Sequence, residues 1–252
     1  MKKIALVLAF VLSFTLLLGG CAGANRLDQI KKAGKLVMLT NAAFPPFEYI
    51  KDNKPAGVDI EVAQAIADDL GVQLEVVDMN FDLLIDALKS GKGDVVLAGM
   101  TIKPERLEQV DFSKEYVKSS QYVIIKAGSG VTADKLDGLT IAVQEGTTGD
   151  FYATDDVQAK EVLRFKSGVE AGSALQSGKC DAVIIDKLPA EKIAANSSGA
   201  LEVLPDELTQ ESYAVAVAKN QKDLLDAVNK TIDRLIADGT IDSLIVEHME
   251  QA

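Results

Sequence analysis

Tryptophan is absent from this 252-residue chain, histidine occurs once and cysteine only twice. Each shortage removes a class of chemistry. His248, the sole imidazole, lies near the C-terminus, which removes Ser-His-Asp and Cys-His triads and any histidine-rich metal site. Cys21 directly follows an apolar leader, so Cys180 has no intrachain partner; no disulfide framework exists, and Cys180 is expected to pack as a small hydrophobe. Basic clusters are missing as well. Against 26 Lys and Arg stand 38 Asp and Glu, a formal charge of −12, which excludes nucleic acid and electrostatic attachment to anionic lipid. After Leu18 no long apolar run recurs, and aromatics make up only 5% of the residues, so each one near a site carries weight.

What is present begins with Met1-Lys2-Lys3 and the apolar run Ile4 to Leu18, the charged and hydrophobic regions of a secretory signal over residues 1–20. It is too short to span a membrane comfortably. The run ends in Leu18-Gly19-Gly20-Cys21, which resembles the lipobox of bacterial lipoproteins. That resemblance implies cleavage before Cys21 and a diacylglyceryl group on it. The mature protein would then be anchored to the cell membrane on its extracytoplasmic face, at the cell surface or in the periplasm, without spanning it, with residues 21–27 as a tether. Losing Lys2 and Lys3 takes the charge from −12 to −14, and the 232 residues left of 252 suffice for one large domain or two small ones.

Hydrophobic periodicity gives an alternation of strands and helices. Leu36–Thr40 reads as a strand, Val58–Leu70 as a helix stopped by Gly71, Leu74–Val77 as a strand, Phe81–Leu88 as a helix and Asp94–Gly99 as a strand. This order implies parallel strands with helical crossovers. A segment later in the chain echoes the last of these pieces. Ala87–Gly99 (ALKSGKGDVVLAG) reappears as Ala174–Asp186 (ALQSGKCDAVIID), which places Gly99 and Asp186 at equivalent carboxyl ends of two strands, where ligands collect in open α/β sheets. Strands are also expected over 139–143, 161–165, 201–204 and 213–218, with closing helices over 222–237 and 241–249.

Between Ala98 and Arg106 a strand ends in glycine and turns into a helix that starts at Pro104, a residue suited to the first helical position. Arg106 falls in the first turn, where a cation opposes the helix dipole unless an anion binds between the guanidinium, the free N–H groups and Thr101. A planar donor fork suits a carboxylate. A solvated surface arginine is the competing reading of these residues alone. Gln144-Glu145-Gly146-Thr147-Thr148 offers a second anion-binding turn or, equally, a plain capped helix.

Together with Phe44-Pro45-Pro46-Phe47-Glu48, Gly57-Val58-Asp59 and Asp111-Phe112-Ser113, these motifs make the chain resemble the solute-binding proteins of polar amino-acid ABC importers, a family related to ionotropic glutamate-receptor ligand domains. The resemblance covers nearly all of the mature sequence. It implies a two-lobed α/β fold of the type II periplasmic-binding-protein kind, each lobe a mostly parallel sheet flanked by helices. Residues 28–118 and 213–252 would form lobe 1, residues 119–212 lobe 2, and the crossing segments would lie near Lys118–Gln121 and Glu211–Tyr213. It implies a monomer that binds a free polar L-amino acid between closing lobes and delivers it to the membrane permease of an importer, with no catalytic residue, metal or cofactor. By position, Arg106 and the Thr147-Thr148 turn, through the Thr148 N–H, would hold the ligand carboxylate. The Gly99 carbonyl, the Thr101 hydroxyl and Asp186 would hold its ammonium, with Phe44 and Phe81 as walls and Asn41 at the far end. Asp186 could instead cap the following helix, and Phe81 or Phe44 could be packing alone.

The sequence departs from the family at Lys103, where a threonine cap is common, and at Asn41, where many relatives that bind cations carry an acid. The second departure places neutral amides ahead of cations, with arginine as the main rival. Two other functions stay open: an enzyme on the same fold, similar to cyclohexadienyl dehydratase and using Asp186 or Glu145 as acid or base, and a ligand-sensing subunit.

Overall fold

The computed structural model describes residues 25–252; the leader over 1–20 and the modification expected at Cys21 lie outside the described residues. Of the residues 21–27 expected as a tether, the last three are ordered into the first helix and its cap. Asn25 accepts a hydrogen bond from the Asp28 N–H and caps helix α1 (Arg26–Ala33), so Arg26 and Leu27 belong to a helical turn. Arg26 is fixed there by Asp94, Nε to Oδ1 2.5 Å.

The chain continues through β1 (Lys35–Thr40), the hairpin β2 (Tyr49–Lys51) and β3 (Lys54–Ala56), α2 (Val58–Leu70), β4 (Gln73–Asp78) and a 3-10 turn at Phe81–Leu83. Next come α3 (Leu84–Lys89), β5 (Val95–Val96), α4 (Pro104–Leu107) and β6 (Val110–Ser119). One residue further, β7 (Gln121–Lys126) opens a second series. It runs through β8 (Thr140–Gln144), α5 (Thr148–Asp155), β9 (Glu161–Phe165), α6 (Gly168–Gln176), β10 (Ala182–Asp186), α7 (Lys187–Ala195) and β11 (Leu201–Val203). The chain closes with β12 (Glu211–Ala218), α8 (Lys222–Ala237) and α9 (Thr240–Gln251). The hairpin was not expected; its turn residues Asp52 and Asn53 take positive φ, which asparagine and aspartate tolerate best among residues with a side chain.

Two sheets result, ordered β4-β1-β5-β12-β6 and, read in the matching direction, β9-β8-β10-β7-β11. In each, four strands run one way and one runs against them, β12 between β5 and β6 and β7 between β10 and β11. The reversed strand is in both cases the one by which the chain arrives from the other sheet. The fold is therefore two-lobed and mixed α/β. Helices cover the faces through apolar stripes at helical spacing: Val58, Val62 and Ile66 of α2, and Val228 and Ile232 of α8, are fully buried.

The sequence echo has a physical basis. Asp94 and Asp181 stand at matching positions, and each accepts the first strand's N–H beside it, Val37 N to Asp94 Oδ2 at 2.7 Å and Thr140 N to Asp181 Oδ2 at 2.8 Å. Each also donates its own N–H to the carbonyl of that residue, 2.8 Å in both lobes. The aspartate thus pins the start of a buried strand to its neighbour in both lobes.

The strand expected over Asp94–Gly99 forms a ladder only at Val95–Val96. Beyond it the backbone turns away: Gly99 takes φ +53°, its N–H goes to the Asp59 carboxylate, and Met100 accepts from Ala214 N–H on β12. A second glycine is required before α2. A Cβ at Gly57 (φ +129°) would stand 2.2 Å from the Phe47 carbonyl oxygen and 2.9 Å from Glu48 N. Gly57→Ala is therefore expected to destabilise the protein by roughly 2–4 kcal/mol, a sum of backbone strain and a clash with main chain that cannot step aside. Thermal unfolding of the ligand-free variant measures this, and an unchanged midpoint would show that the Phe47–Glu48 loop yields without cost.

The last helix ties the lobes together from outside. It packs on α2 and α8, pairs His248 Nδ1 with the Tyr49 hydroxyl at 3.0 Å, and accepts at the Met249 carbonyl a hydrogen bond from the buried Lys192 Nζ of α7, 3.0 Å away.

Candidate functional site

Between the two sheets lies a small, nearly closed cavity lined by Asn41, Phe44, Phe81, Gly99, Thr101, Arg106, Thr147, Thr148 and Asp186, with Glu48, Ala98 and Gln144. All nine residues picked from the sequence face this one space.

Arg106 reaches it from the single turn of α4, whose first residue is Pro104 and whose cap position, Lys103, contributes no side-chain hydrogen bond. The guanidinium is buried. Its Nη1 donates to the Thr101 carbonyl at 2.8 Å, its Nη2 crosses to the Gly146 carbonyl of the other lobe at 3.1 Å, and it stacks 5.3 Å over the Phe81 ring. No carboxylate forms an ion pair with it among the described residues. Burial lowers its pKa to about 10, which leaves it charged at neutral pH. The reading of a solvated surface arginine is set aside.

Asp186 ends β10 and stands at the start of α7, yet its side chain does not cap that helix. Its Oδ1 accepts from the Tyr213 hydroxyl at 2.6 Å and from Ser119 Oγ at 2.9 Å. Burial, and next the charge of Glu211, raise its pKa to about 6. Thr101 and Thr148 are linked through Glu211. Both hydroxyls donate to Glu211 Oε2, at 2.6 and 2.8 Å, so one carboxylate joins the two lobes. Thr147 is the α5 cap: its Oγ1 accepts the Asp150 N–H at 3.3 Å and donates to the Gln144 carbonyl at 2.8 Å.

At the opposite end, Asn41 Nδ2 donates to the Met79 carbonyl and Asn41 Oδ1 accepts from Gln144 Nε2, each 2.9 Å. The asparagine is thus engaged across the cleft. Phe44 is buried beside Gly99, where a Cβ would come within 2.7 Å of its ring, so only glycine lets this wall approach. At the rim, Lys166 of the second lobe reaches Glu145 at 2.6 Å and Asp82 of the first at 3.4 Å. Among the described residues no group of His, Cys, Asp and Glu has the arrangement of a metal site.

Reasoning from sequence missed Glu48, Gln144, Glu211 and Tyr213. Glu48 and Gln144 lay inside segments already singled out, but their facing depends on loop geometry. Glu211 and Tyr213 were expected only as a crossing segment; they return from the second lobe more than a hundred residues after Thr101, with no local motif to mark them as cleft residues.

Among known proteins, the chain is 33% identical over 251 residues to the arginine-binding extracellular protein ArtP of Bacillus subtilis, covering 97% of this chain and 96% of that one. The structure of the amino-acid ABC transporter substrate-binding protein AbpA of Streptococcus pneumoniae, bound to L-arginine, superposes with a TM-score of 0.84 at 34% identity, covering 88% of this chain and 98% of that one. An ancestral arginine-binding protein bound to glutamine gives 0.79 at 37% identity over 84% of this chain and 96% of that one. Residues 36–251 match the bacterial extracellular solute-binding proteins, family 3, and with the two-lobed fold and the cleft between its sheets this chain belongs to that family.

Proposed function

We propose that the protein is an extracytoplasmic receptor for a free L-amino acid with a cationic side chain, arginine ahead of glutamine, which it captures between its lobes and delivers to an ABC importer. The observation that carries this is the buried Arg106, facing the cleft without a carboxylate partner among the described residues, with Asp186 on the other side of the same cavity. A carboxylate suits the first and an ammonium the second. The Thr148 N–H at the start of α5 and the Gly99 carbonyl complete the two ends, and Phe44 and Phe81 flank the side chain.

The preference for a cation reverses the order expected from Asn41. That order took the amide to be free to read the ligand, whereas its oxygen accepts from Gln144 and its NH2 group donates to Met79. Burial counts instead: among the described residues Glu48, Asp59 and Asp186 are buried acids about the cleft, against one buried arginine. A surplus of acid in a low-dielectric space favours a positive ligand, and aromatic faces hold a guanidinium by stacking. Relatives named for arginine agree with this order.

The two ends of the clamp sit on different lobes, so a zwitterion meets both only when they close and favours the closed population by that difference. We take 28–118 with 213–252 and 119–212 as the two moving bodies, joined where Lys118–Ser119 pairs with Glu211–Ser212, and take the lipid on Cys21 as the tether of a monomer beside its permease. An enzyme is the weaker reading, since Glu145 is held by Lys166 at the rim and does not line the cavity.

A thermal-shift screen of ligand-free protein against the twenty amino acids tests the assignment, because a ligand of the folded form alone stabilises it by about 4 kcal/mol at a thousand times its Kd. Arginine should give the largest rise, with glutamine below it. A larger rise with glutamine overturns the order, and no rise with any amino acid overturns the function.

A further inference from the structure

Glu48 is fully buried, lines the cleft, and both of its carboxyl oxygens lack a hydrogen-bond donor among the described residues. A carboxylate so placed is costly unless it keeps its proton or meets a cation. Its neighbour Asp59, from α2, is already supplied: Oδ1 accepts from the Tyr116 hydroxyl at 2.7 Å and Oδ2 from the Gly99 N–H at 2.8 Å. A protonated Glu48 can donate to one of the remaining lone pairs of Asp59, which makes Asp59 the charged member of the pair. An ionised Glu48 would instead lie against that charge, with Asp78 of β4 and Asp186 of β10 adding to the repulsion. The groups of opposite tendency are few. Arg106 of α4 reaches the same cavity but is engaged by two carbonyls, and Glu211 of β12 offsets its charge. Tyr116 of β6 is a neutral donor. Burial first, and then Asp59, hold the Glu48 proton well above the usual carboxylate range.

Resting on the amino-acid reading above, we propose that Glu48 reads the charge of the ligand side chain: it stays protonated when the cleft holds a neutral amide and releases its proton to solvent when a cationic side chain enters. The Glu48 O–H bond breaks, the proton passes to buffer, and the carboxylate left behind is compensated by the arriving cation. An amide brings no such compensation, so Glu48 and Asp59 cannot both ionise around it. Selectivity for a cation would then come from an acid absent from Asn41's position and supplied from the far end of the Phe44–Glu48 loop.

The test is calorimetric titration of ligand-free protein at pH 7 with arginine and with glutamine, each in phosphate and in Tris, whose ionisation enthalpies differ widely. With arginine the heat should differ between buffers by the amount that reports up to a whole proton released per site; with glutamine it should not. The α-ammonium and Asp186 are common to both ligands and cancel. Glu48→Gln should remove the buffer dependence for arginine and weaken arginine more than glutamine. Equal proton counts for the two ligands, or a count unchanged in Glu48→Gln, overturns the proposal while the binding heats still uphold the receptor. If neither amino acid gives heat in any buffer, the receptor function is overturned and the proposal with it.

Discussion

Arg106→Ala should lose tens- to thousands-fold in affinity for its amino acid while remaining folded. Among the described residues this is the only buried arginine, and removing one member of a buried, charge-assisted contact costs about 2–5 kcal/mol. Folding should survive because α4 is a single turn and the two residues whose carbonyls lose their donor, Thr101 and Gly146, also line surface grooves beside the cleft that water can enter. Arg106→Lys should recover little. One ammonium cannot hold two carbonyls in different lobes, stack on Phe81 and still present a planar fork to a carboxylate. Calorimetry on variants shown to be folded by circular dichroism decides the matter; near-normal binding by Arg106→Ala would place the carboxylate anchor elsewhere.

Asp186→Asn should do two opposite things at once: abolish most of the affinity and raise the stability of the ligand-free protein at neutral pH. Its carboxyl pKa is about 6 in the fold against about 3.8 when unfolded. Between those values the native state holds a proton that the unfolded state has released, so stability falls as pH rises through that window, and above pH 6 the full cost is present. A shift of this size corresponds to a few kcal/mol at most, on the order of 1–3. Asparagine removes the charge but keeps an oxygen to accept from Tyr213 and Ser119. The variant should therefore melt several degrees above wild type at pH 8, and the gap should close toward pH 4. Its affinity should fall by an amount like that of Arg106→Ala, since an amide cannot pair with an ammonium ion. A midpoint equal to wild type at pH 8 would mean that the Tyr213 and Ser119 hydroxyls offset the cost of ionising Asp186 in the free protein. The acid is thus kept at a cost to stability, a pattern expected of a residue retained for binding.

Much of this was legible from the chain because it rests on local signals. Helices α2 and α8 follow from apolar spacing with Gly71 and the Asp238-Gly239 pair behind them, and α4 from Pro104. The Ala87–Gly99 echo of Ala174–Asp186 reported a real equivalence because Asp94 and Asp181 do the same work at the head of β1 and β8. Arg106 was legible because it follows a strand end in a short motif, whereas Phe44 and Phe81 were picked through the family resemblance and both line the cavity. What escaped depends on the chain coming back. Glu211 meets Thr101 and Thr148 only after the second lobe has been built, and no spacing in the sequence measures that return. Gln144 was visible as a strand end, but its donation to Asn41 belongs to the approach of the lobes, and that contact changes what the asparagine can say about ligand charge. Strand β5 was overestimated for a similar reason: Leu97 to Gly99 are apolar enough for a strand, yet the Asp59 carboxylate removes the N–H that a longer ladder would use.

The C-terminal helix bears on how this protein could be instrumented. Near the N-terminal end, Asn25 bonds to Asp223 and Arg26 to Asp94, all within the body of the first sheet, so a label placed ahead of them would ride with that body alone. Residues 248–251 instead reach the hairpin through Tyr49 and Lys51 and the second lobe through Lys192. A reporter fused after Ala252 would load that bridge directly. A purification tag belongs ahead of Asn25, and an optical probe meant to register occupancy belongs after Ala252.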